Sequence, residues 1–141
     1  MDIPQGVFFY SEDIVFVHHK ESSISQGLAT LIKDHEFSLG CISIVFCSDE
    51  YLLQMNKEHL NHDYYTDIIT FPMQDDPLSG DLFISIDRVK DNANQNNSTF
   101  ESELDRIIIH GVLHLVGYGD KTDSETKEMR AKENYYLNIL T

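Results

Sequence analysis

Two histidines spaced four residues apart are the residues with the clearest chemical potential in this chain. His110 and His114 lie in the stretch IIIHGVLHLVGYGD (107–120), which is otherwise mostly apolar. On an α-helix, residues four apart project from one face, so both imidazoles can present a ring nitrogen to one cation. Gly117 can end this helix, and a reversal of the chain there brings Asp120 toward the histidines. The pattern H-x3-H-x2-G-x2-D therefore predicts a divalent metal site formed by His110, His114 and Asp120.

This ligand set favours zinc and hydrolytic chemistry. Zinc accepts imidazole nitrogen and carboxylate oxygen, and its catalytic sites keep a fourth position open. A metal held in this way activates water for attack. Gly111 stands where zinc peptidases of the H-E-x-x-H type carry their general base, which disfavours peptide hydrolysis by that mechanism. No side chain stands out as the general base here. The structural alternative is that both histidines are hydrogen-bonded core residues, since pairs at this spacing also arise by chance.

The segment HGVLHLVGYGD (110–120) resembles the signature of the YbeY family of metal-dependent endoribonucleases. Two further blocks resemble that family in the same order, MNKEHLNHDYYTDIITFP (55–72) and SGDLFISID (79–87). The resemblance covers about the last two thirds of the chain. It implies a cytoplasmic single-strand endoribonuclease that acts in ribosomal RNA processing, during late small-subunit maturation and ribosome quality control. The implied partners are ribosomal RNA and the small ribosomal subunit, together with a ribosomal protein or an assembly GTPase.

The chain departs from the family pattern at two positions. The third ligand of the family is usually His, whereas this chain has Asp120, and Asp123 is a second candidate for that place. The family usually has an arginine in the upstream block, thought to hold phosphate, and Leu60 stands at the matching position. Three nearby residues are candidates to replace it in substrate binding, although they could equally be solvated loop residues: Lys57, His59 and His62.

Two other functions fit the same residues. The first is a non-catalytic ribosome-assembly factor with a structural metal site, to which both departures point. A structural zinc site is closed by four protein ligands, whereas a catalytic site keeps one position free. The second is a metal hydrolase of another substrate, such as a peptide or an ester, which Gly111 disfavours.

The charge balance bears on how a nucleic acid could bind. Ten basic against twenty-four acidic residues give a net charge of −14. Such a surface repels phosphate, so non-specific nucleic-acid binding is disfavoured. Specificity is therefore expected to come from docking on a protein partner. No targeting pattern and no apolar run of about 20 residues is present, which predicts a cytoplasmic protein without a membrane span.

The length and the hydropathy pattern predict a single α/β (α+β) domain over residues 1–141. It should contain a mixed sheet of about four strands packed by four or five helices, with the metal site on the central helix. The predicted strands are one or two within 6–17, then 41–47, 66–73 and 80–86. The predicted helices are 24–37, 51–60, 100–116 and 124–140, while 91–98 is either a loop or the end of a helix begun at Asp87.

Three finer predictions concern single residues. Ser22 or Ser23 is a candidate cap for the first helix. His18 and His19 are predicted to alternate faces on a strand, which would leave them no plausible ligand set. If 41–47 is a strand, Cys41 and Cys47 lie about 20 Å apart, too far for a disulfide. Free thiols in a reducing compartment are therefore expected.

Overall fold

The computed structural model describes residues 4–140, which form four strands and five helices. The strands are β1 (Gly6–Ser11), β2 (Leu39–Cys47), β3 (Ile68–Gln74) and β4 (Leu78–Ser85). The helices are α1 (Glu21–Asp34), α2 (Asp49–Leu60), α3 (Ile86–Gln95), α4 (Phe100–Leu115) and α5 (Asp123–Leu140). These elements confirm the predicted fold class and the number of strands and helices.

The sheet is mixed, with the strand order β1-β2-β4-β3. β1 and β4 both pair with β2 in parallel, and β3 pairs with β4 antiparallel at one edge. β2 is thus an interior strand, which explains why its sequence is apolar on both faces. Pro72 lies inside β3, which continues to Gln74. An edge strand tolerates proline because its outer backbone groups need no partner strand.

The two faces of the sheet are covered unequally. Leu82 and Ile84 of β4 point into the main core, which also contains buried residues of α1, α3, α4 and α5. Phe83 points to the other face and packs with a small cluster that includes Leu52 of α2. This alternation follows from the two-residue period of a strand. Four helices therefore lie against one face, and α2 lies against the other.

Helix α4 carries the predicted metal ligands and packs closely on the sheet. It begins after Thr99, whose side-chain oxygen accepts a hydrogen bond from the backbone N–H of Ser102. A Cβ added at Gly111 would lie 2.8 Å from Cδ1 of Ile68 on β3, so glycine permits this close approach. Gly117 follows the helix with a φ of 116°, a conformation that favours glycine. It ends α4 as predicted.

The placement of His18 and His19 and the start of α1 both differ from the predictions. Only one strand lies within 6–17, and His18 and His19 lie in the irregular segment between β1 and α1, not on a strand. Helix α1 begins after Lys20, which provides no side-chain cap, so the expected cap at Ser22 or Ser23 is wrong. Both serines lie inside the helix because Lys20 already starts its backbone ladder by accepting from the N–H of Ile24.

Three other predictions concerned the segment 91–98, the two cysteines and a membrane span. The segment 91–98 is helical as far as Gln95, as the end of α3. Cys41 and Cys47 are free thiols on the same strand, as expected. Over residues 4–140, no helix combines the length and the apolar character that crossing a bilayer would require.

Candidate metal centre

The three predicted ligands meet at the C-terminal end of α4. His110 and His114 lie one turn apart on this helix, and Asp120 follows in the connection to α5. The distance between the two Nε2 atoms is 3.0 Å. Oδ2 of Asp120 lies 3.2 Å from Nε2 of His114 and 3.5 Å from Nε2 of His110. The sequence spacing therefore places two ring nitrogens and one carboxylate oxygen around a single point.

The hydrogen bonds behind the rings determine which nitrogen carries the proton. Nδ1 of His114 donates to the backbone carbonyl oxygen of Tyr118 at 2.8 Å. Nδ1 of His110 donates to the carboxylate of Glu133 at 2.8 Å. Because both partners only accept, each neutral ring carries its proton on Nδ1 and has a lone pair on Nε2. Two lone pairs and a carboxylate oxygen at this separation repel one another unless a cation or a proton lies between them.

The geometry fits a tetrahedral zinc ion. Bonds of 2.0–2.1 Å at tetrahedral angles separate neighbouring ligand atoms by about 3.3 Å, and the three observed distances lie on both sides of that value. The group that could hold a metal contains three side chains, and no fourth His, Cys, Asp or Glu among residues 4–140 joins it. The donor set therefore suits a site with one coordination position left for solvent or substrate, the feature of catalytic zinc sites.

Glu133 of α5 supports the centre from behind. One of its carboxylate oxygens accepts from His110, and the other accepts from Nη1 of Arg106 at 2.9 Å. Burial alone would raise the pKa of this carboxyl group, but the hydrogen bonds from His110 and Arg106 outweigh burial and lower the pKa. Glu133 is therefore ionised at neutral pH. A carboxylate that orients a ligating histidine and raises its basicity is a common support of metal sites.

A second group of two histidines and one aspartate forms at the other end of α4. The rings of His18 and His19 stack 4.1 Å apart, and both contact Asp105. The prediction that these histidines alternate faces on a strand is thus wrong, because the irregular backbone brings both of them to Asp105. Nδ1 of His18 accepts from the backbone N–H of Lys20, so its proton is on Nε2 and is donated to Asp105 at 2.7 Å. Ordinary hydrogen bonds explain this cluster, and His18 offers no free lone pair to a metal.

Two clefts meet at the candidate centre. Both are lined by Asp67, His110 and Asp120. One extends along α4 between α3 and α5, and the other extends toward the segment that follows α2. Burial raises the pKa of Asp67, although the nearby His110 opposes this effect. Its carboxylate also accepts a hydrogen bond from Asn92. The centre thus lies where the two clefts share their lining.

Of the three candidate substrate-binding residues, only His62 lines a cleft at the centre. His62 lines the second cleft together with His110 and His114. Lys57 instead pairs with Asp63 at 3.4 Å, and the ring of His59 packs edge-on against Phe71. Neither Lys57 nor His59 is among the residues that line the cleft.

The structure also shows where the chain's two departures from the family pattern lie. Leu60 lines the second cleft and is 41% exposed. Asp123 is the first residue of α5 and stays outside the metal-binding group, which contains Asp120. Of the two acids proposed as third ligand, Asp120 is thus the one near the histidines.

Sequence reasoning missed Glu133 and Arg106. A signal for Glu133 was present, because Met129, Glu133 and Tyr136 share the buried face of α5 at helical spacing. An acid on such a stripe needs a buried partner, since an unpaired charge there would be costly. Its partner could not be read from the sequence, because Arg106 is on another helix.

Fold and site together define an α/β protein with a candidate metal centre on its central helix, open to two clefts. A sequence model of the family described as Endoribonuclease YbeY matches residues 11–141. The chain belongs to this family. It is 49% identical over 137 residues to an Endoribonuclease YbeY of Cytophaga hutchinsonii, with 96% of each chain covered. It is 43% identical over 136 residues to that of Parabacteroides distasonis, again with 96% of each covered.

A solved structure supports the fold. The solution structure of TM1509 from Thermotoga maritima superposes with a TM-score of 0.66 at 26% identity. The match covers 95% of this chain and 88% of that one. The arrangement of helices on one mixed sheet is therefore shared with an experimentally determined protein.

Proposed function

We propose that this protein is a metal-dependent endoribonuclease that cleaves single-stranded RNA during ribosomal RNA processing. The observation that carries the proposal is the convergence of two Nε2 lone pairs and one Asp120 oxygen at the meeting point of two clefts. The relatives named Endoribonuclease YbeY supply the substrate class. The three-residue ligand set favours this function over an assembly factor with a closed structural site.

His110, His114 and Asp120 would hold one divalent ion, and their nitrogen-rich set favours zinc. When bound, such an ion supplies Lewis acidity, which activates water and offsets negative charge at the phosphate. Glu133 fixes the ring of His110, and the carbonyl of Tyr118 fixes that of His114, so both lone pairs are oriented before substrate arrives. This prior orientation avoids a reorganisation cost during the reaction.

The second cleft offers a place for an unstacked base. The rings of His62 and Tyr64 stack at 5.1 Å with an interplanar angle of 21°, and Tyr64 is 55% exposed. Exposed aromatic rings bind the bases of single strands with little dependence on sequence. We therefore assign substrate binding to His62 with Tyr64, and not to Lys57 or His59, which have other partners.

The strongly negative surface bears on the physiological substrate. A chain with a net charge of −14 gains little from long-range attraction to RNA. We propose that the small ribosomal subunit, through a ribosomal protein or an assembly GTPase, presents its RNA to the cleft in the cytoplasm. Isolated RNA should then bind weakly and be cleaved at high protein concentration.

The test is cleavage of a labelled single-stranded RNA by zinc-loaded protein. We expect cleavage by the wild type and by His19→Ala, and none by His114→Ala or in the presence of a chelator. His19→Ala is the matched control because it removes a histidine from the hydrogen-bonded cluster. Equal cleavage by wild type and His114→Ala would indicate a contaminating nuclease and would contradict the proposal.

A further inference from the structure

The cleft between α3 and α5 has features that the metal centre does not use. We call it the amide groove. Its α3 wall carries the side chains of Asn92, Gln95 and Asn96, and its α5 wall carries Arg130. The groove has a volume of about 500 Å³ and continues to His110 and Asp120. It is therefore large enough for one nucleotide directly beside the centre.

Arg130 is the guanidinium in the groove that is available to a ligand. Arg106 donates to both Glu133 and Asn134 at 2.9 Å, and only 21% of its side chain is exposed. Arg130 contacts Glu133 at 3.4 Å, and 59% of its side chain is exposed. The carboxylate of Glu133 is buried, but the guanidinium of Arg130 reaches it from solvent at a distance longer than the 2.9 Å contact of Arg106. Glu133 keeps Arg106 and His110 as partners, so Arg130 can bind an anion at small cost.

The amides of the opposite wall are also available. Asn92 donates to Asp67, whereas no hydrogen bond in the described part of the chain engages the side chains of Gln95 or Asn96. Both of these residues are exposed at the end of α3. Each amide offers one acceptor and two donor hydrogens on a planar group. This is the chemistry that pairs with the edge of a nucleobase.

The charge in the groove favours a base over a run of phosphates. Glu103 lines the same groove and accepts a hydrogen bond from Ser98. A second phosphate along the groove would approach this carboxylate and be repelled. An uncharged base meets no such penalty. The groove therefore suits one nucleotide, with its phosphate at the α5 wall and its base at the α3 wall.

We propose that the amide groove is a base-reading subsite for a nucleotide next to the cleaved bond, in which Gln95 and Asn96 contact the base and Arg130 binds its phosphate. This inference rests on the proposed function, because it names how the same centre selects its RNA. It makes the enzyme selective for base identity at one position and tolerant at the position that stacks on Tyr64.

The first test measures cleavage of a random-sequence RNA pool by zinc-loaded protein, followed by sequencing of the product ends. The wild type should show a preference of about fivefold or more for one base at one position near the cut, the discrimination expected of an amide–base pair. The double variant Gln95→Ala/Asn96→Ala should lose that preference and still bind one zinc. Asn94→Ala is the control, because Asn94 is exposed on α3 but does not line the groove.

The second test separates the phosphate contact from base reading. Arg130→Gln should lower kcat/KM about tenfold for every sequence, as expected for a hydrogen bond to a charged group. It should also reduce the dependence of log KM on log salt by about 0.7, the value for one phosphate contact on a single strand. Lys90→Gln removes the same charge from an exposed site outside the groove and should change neither quantity.

The outcomes distinguish the subsite from the nuclease activity. A wild type that binds zinc but leaves RNA intact refutes the proposed function and the subsite with it. A wild type that cleaves without base preference, or a preference that survives in Gln95→Ala/Asn96→Ala, overturns the subsite alone. Equal effects of Arg130→Gln and Lys90→Gln would overturn the phosphate contact.

Discussion

Replacing Glu133 by glutamine tests how the centre is held together. The carboxylate accepts from Nδ1 of His110 with one oxygen and from Arg106 with the other. A glutamine of the same shape has only one acceptor atom. If its oxygen faces His110, its NH2 group opposes the guanidinium of Arg106, and the reverse orientation opposes an N–H of His110. Glu133→Gln therefore breaks one of the two contacts in either orientation.

The expected size of the effect has two parts. Loss of a charged partner behind a ligating histidine lowers metal affinity about 10–100-fold, which is about 1.4–2.7 kcal/mol. Metal binding stabilises the folded state through its affinity, so zinc should stabilise the variant by that much less than it stabilises the wild type. In the metal-free protein, loss of one charge-assisted hydrogen bond should lower the free energy of unfolding by about 1.5–3 kcal/mol. Arg106 keeps its contact with Asn134, which limits the loss.

Two assays measure the two parts separately. Zinc affinity is obtained by competition with a chromogenic chelator, and the free energy of unfolding by urea titration of metal-free protein. Glu128→Gln is the matched control, because it removes the same charge from an exposed position on the same helix. It should change neither quantity by more than about 0.5 kcal/mol.

One result would contradict this role of Glu133. If Glu133→Gln and Glu128→Gln bind zinc with the same affinity, Glu133 does not orient a metal ligand. Its contacts with His110 and Arg106 would then serve only to join α4 to α5.

Three further predictions concern other parts of the molecule. His114→Ala should lose stoichiometric zinc while His19→Ala retains it, as measured by elemental analysis after dialysis, because the Nε2 atom of His114 lies beside Nε2 of His110 and Oδ2 of Asp120, whereas His18 beside His19 has both ring nitrogens in hydrogen bonds. Burial, reinforced by nearby carboxylates, raises the pKa of Cys47 to about 12. At pH 8 only about one molecule in 10⁴ carries that thiolate, so a disulfide reagent should titrate Cys41 in the native protein and both thiols only in denaturant. Tyr64→Ala should raise the KM for single-stranded RNA about fivefold or more through loss of base stacking, with kcat nearly unchanged in steady-state assays.

Each of these predictions has a result that opposes it. Zinc retained by His114→Ala and lost by His19→Ala would move the site to the Asp105 cluster. Fast labelling of two thiols in native protein would mean that Cys47 is reached without unfolding. An unchanged KM in Tyr64→Ala would remove the aromatic stack from the substrate path, and Tyr10→Ala, an exposed tyrosine on β1, provides the comparison.

Periodic elements were predictable from the sequence because burial on one face repeats with the helix or strand period. The apolar run 41–47 predicted a strand, and the structure places β2 between β1 and β4. The failures lie where no period exists. The backbone around His18 follows from its contacts with Asp105, 87 residues away in the chain. The local sequence carries no signal of such a distant contact, so His18 and His19 were assigned to a strand.

The candidate site was predictable to the extent that it is local. His110 and His114 share one helix, and Gly117 turns the chain so that Asp120 approaches them within a few residues. Glu133 comes from a different helix and was missed, since its partner depends on how α5 packs against α4. The same limit applies to the amide groove, whose walls are 34 or more residues apart in the chain and meet only in the fold.

Anomalous diffraction from zinc-loaded crystals tests whether His110, His114 and Asp120 bind the metal, because it locates the ion independently of any activity. We expect one ion at about 2.0–2.2 Å from Nε2 of His110, Nε2 of His114 and a carboxylate oxygen of Asp120. The fourth coordination position should hold solvent. An ion at Asp105, or a fourth protein ligand that closes the site, would contradict this expectation.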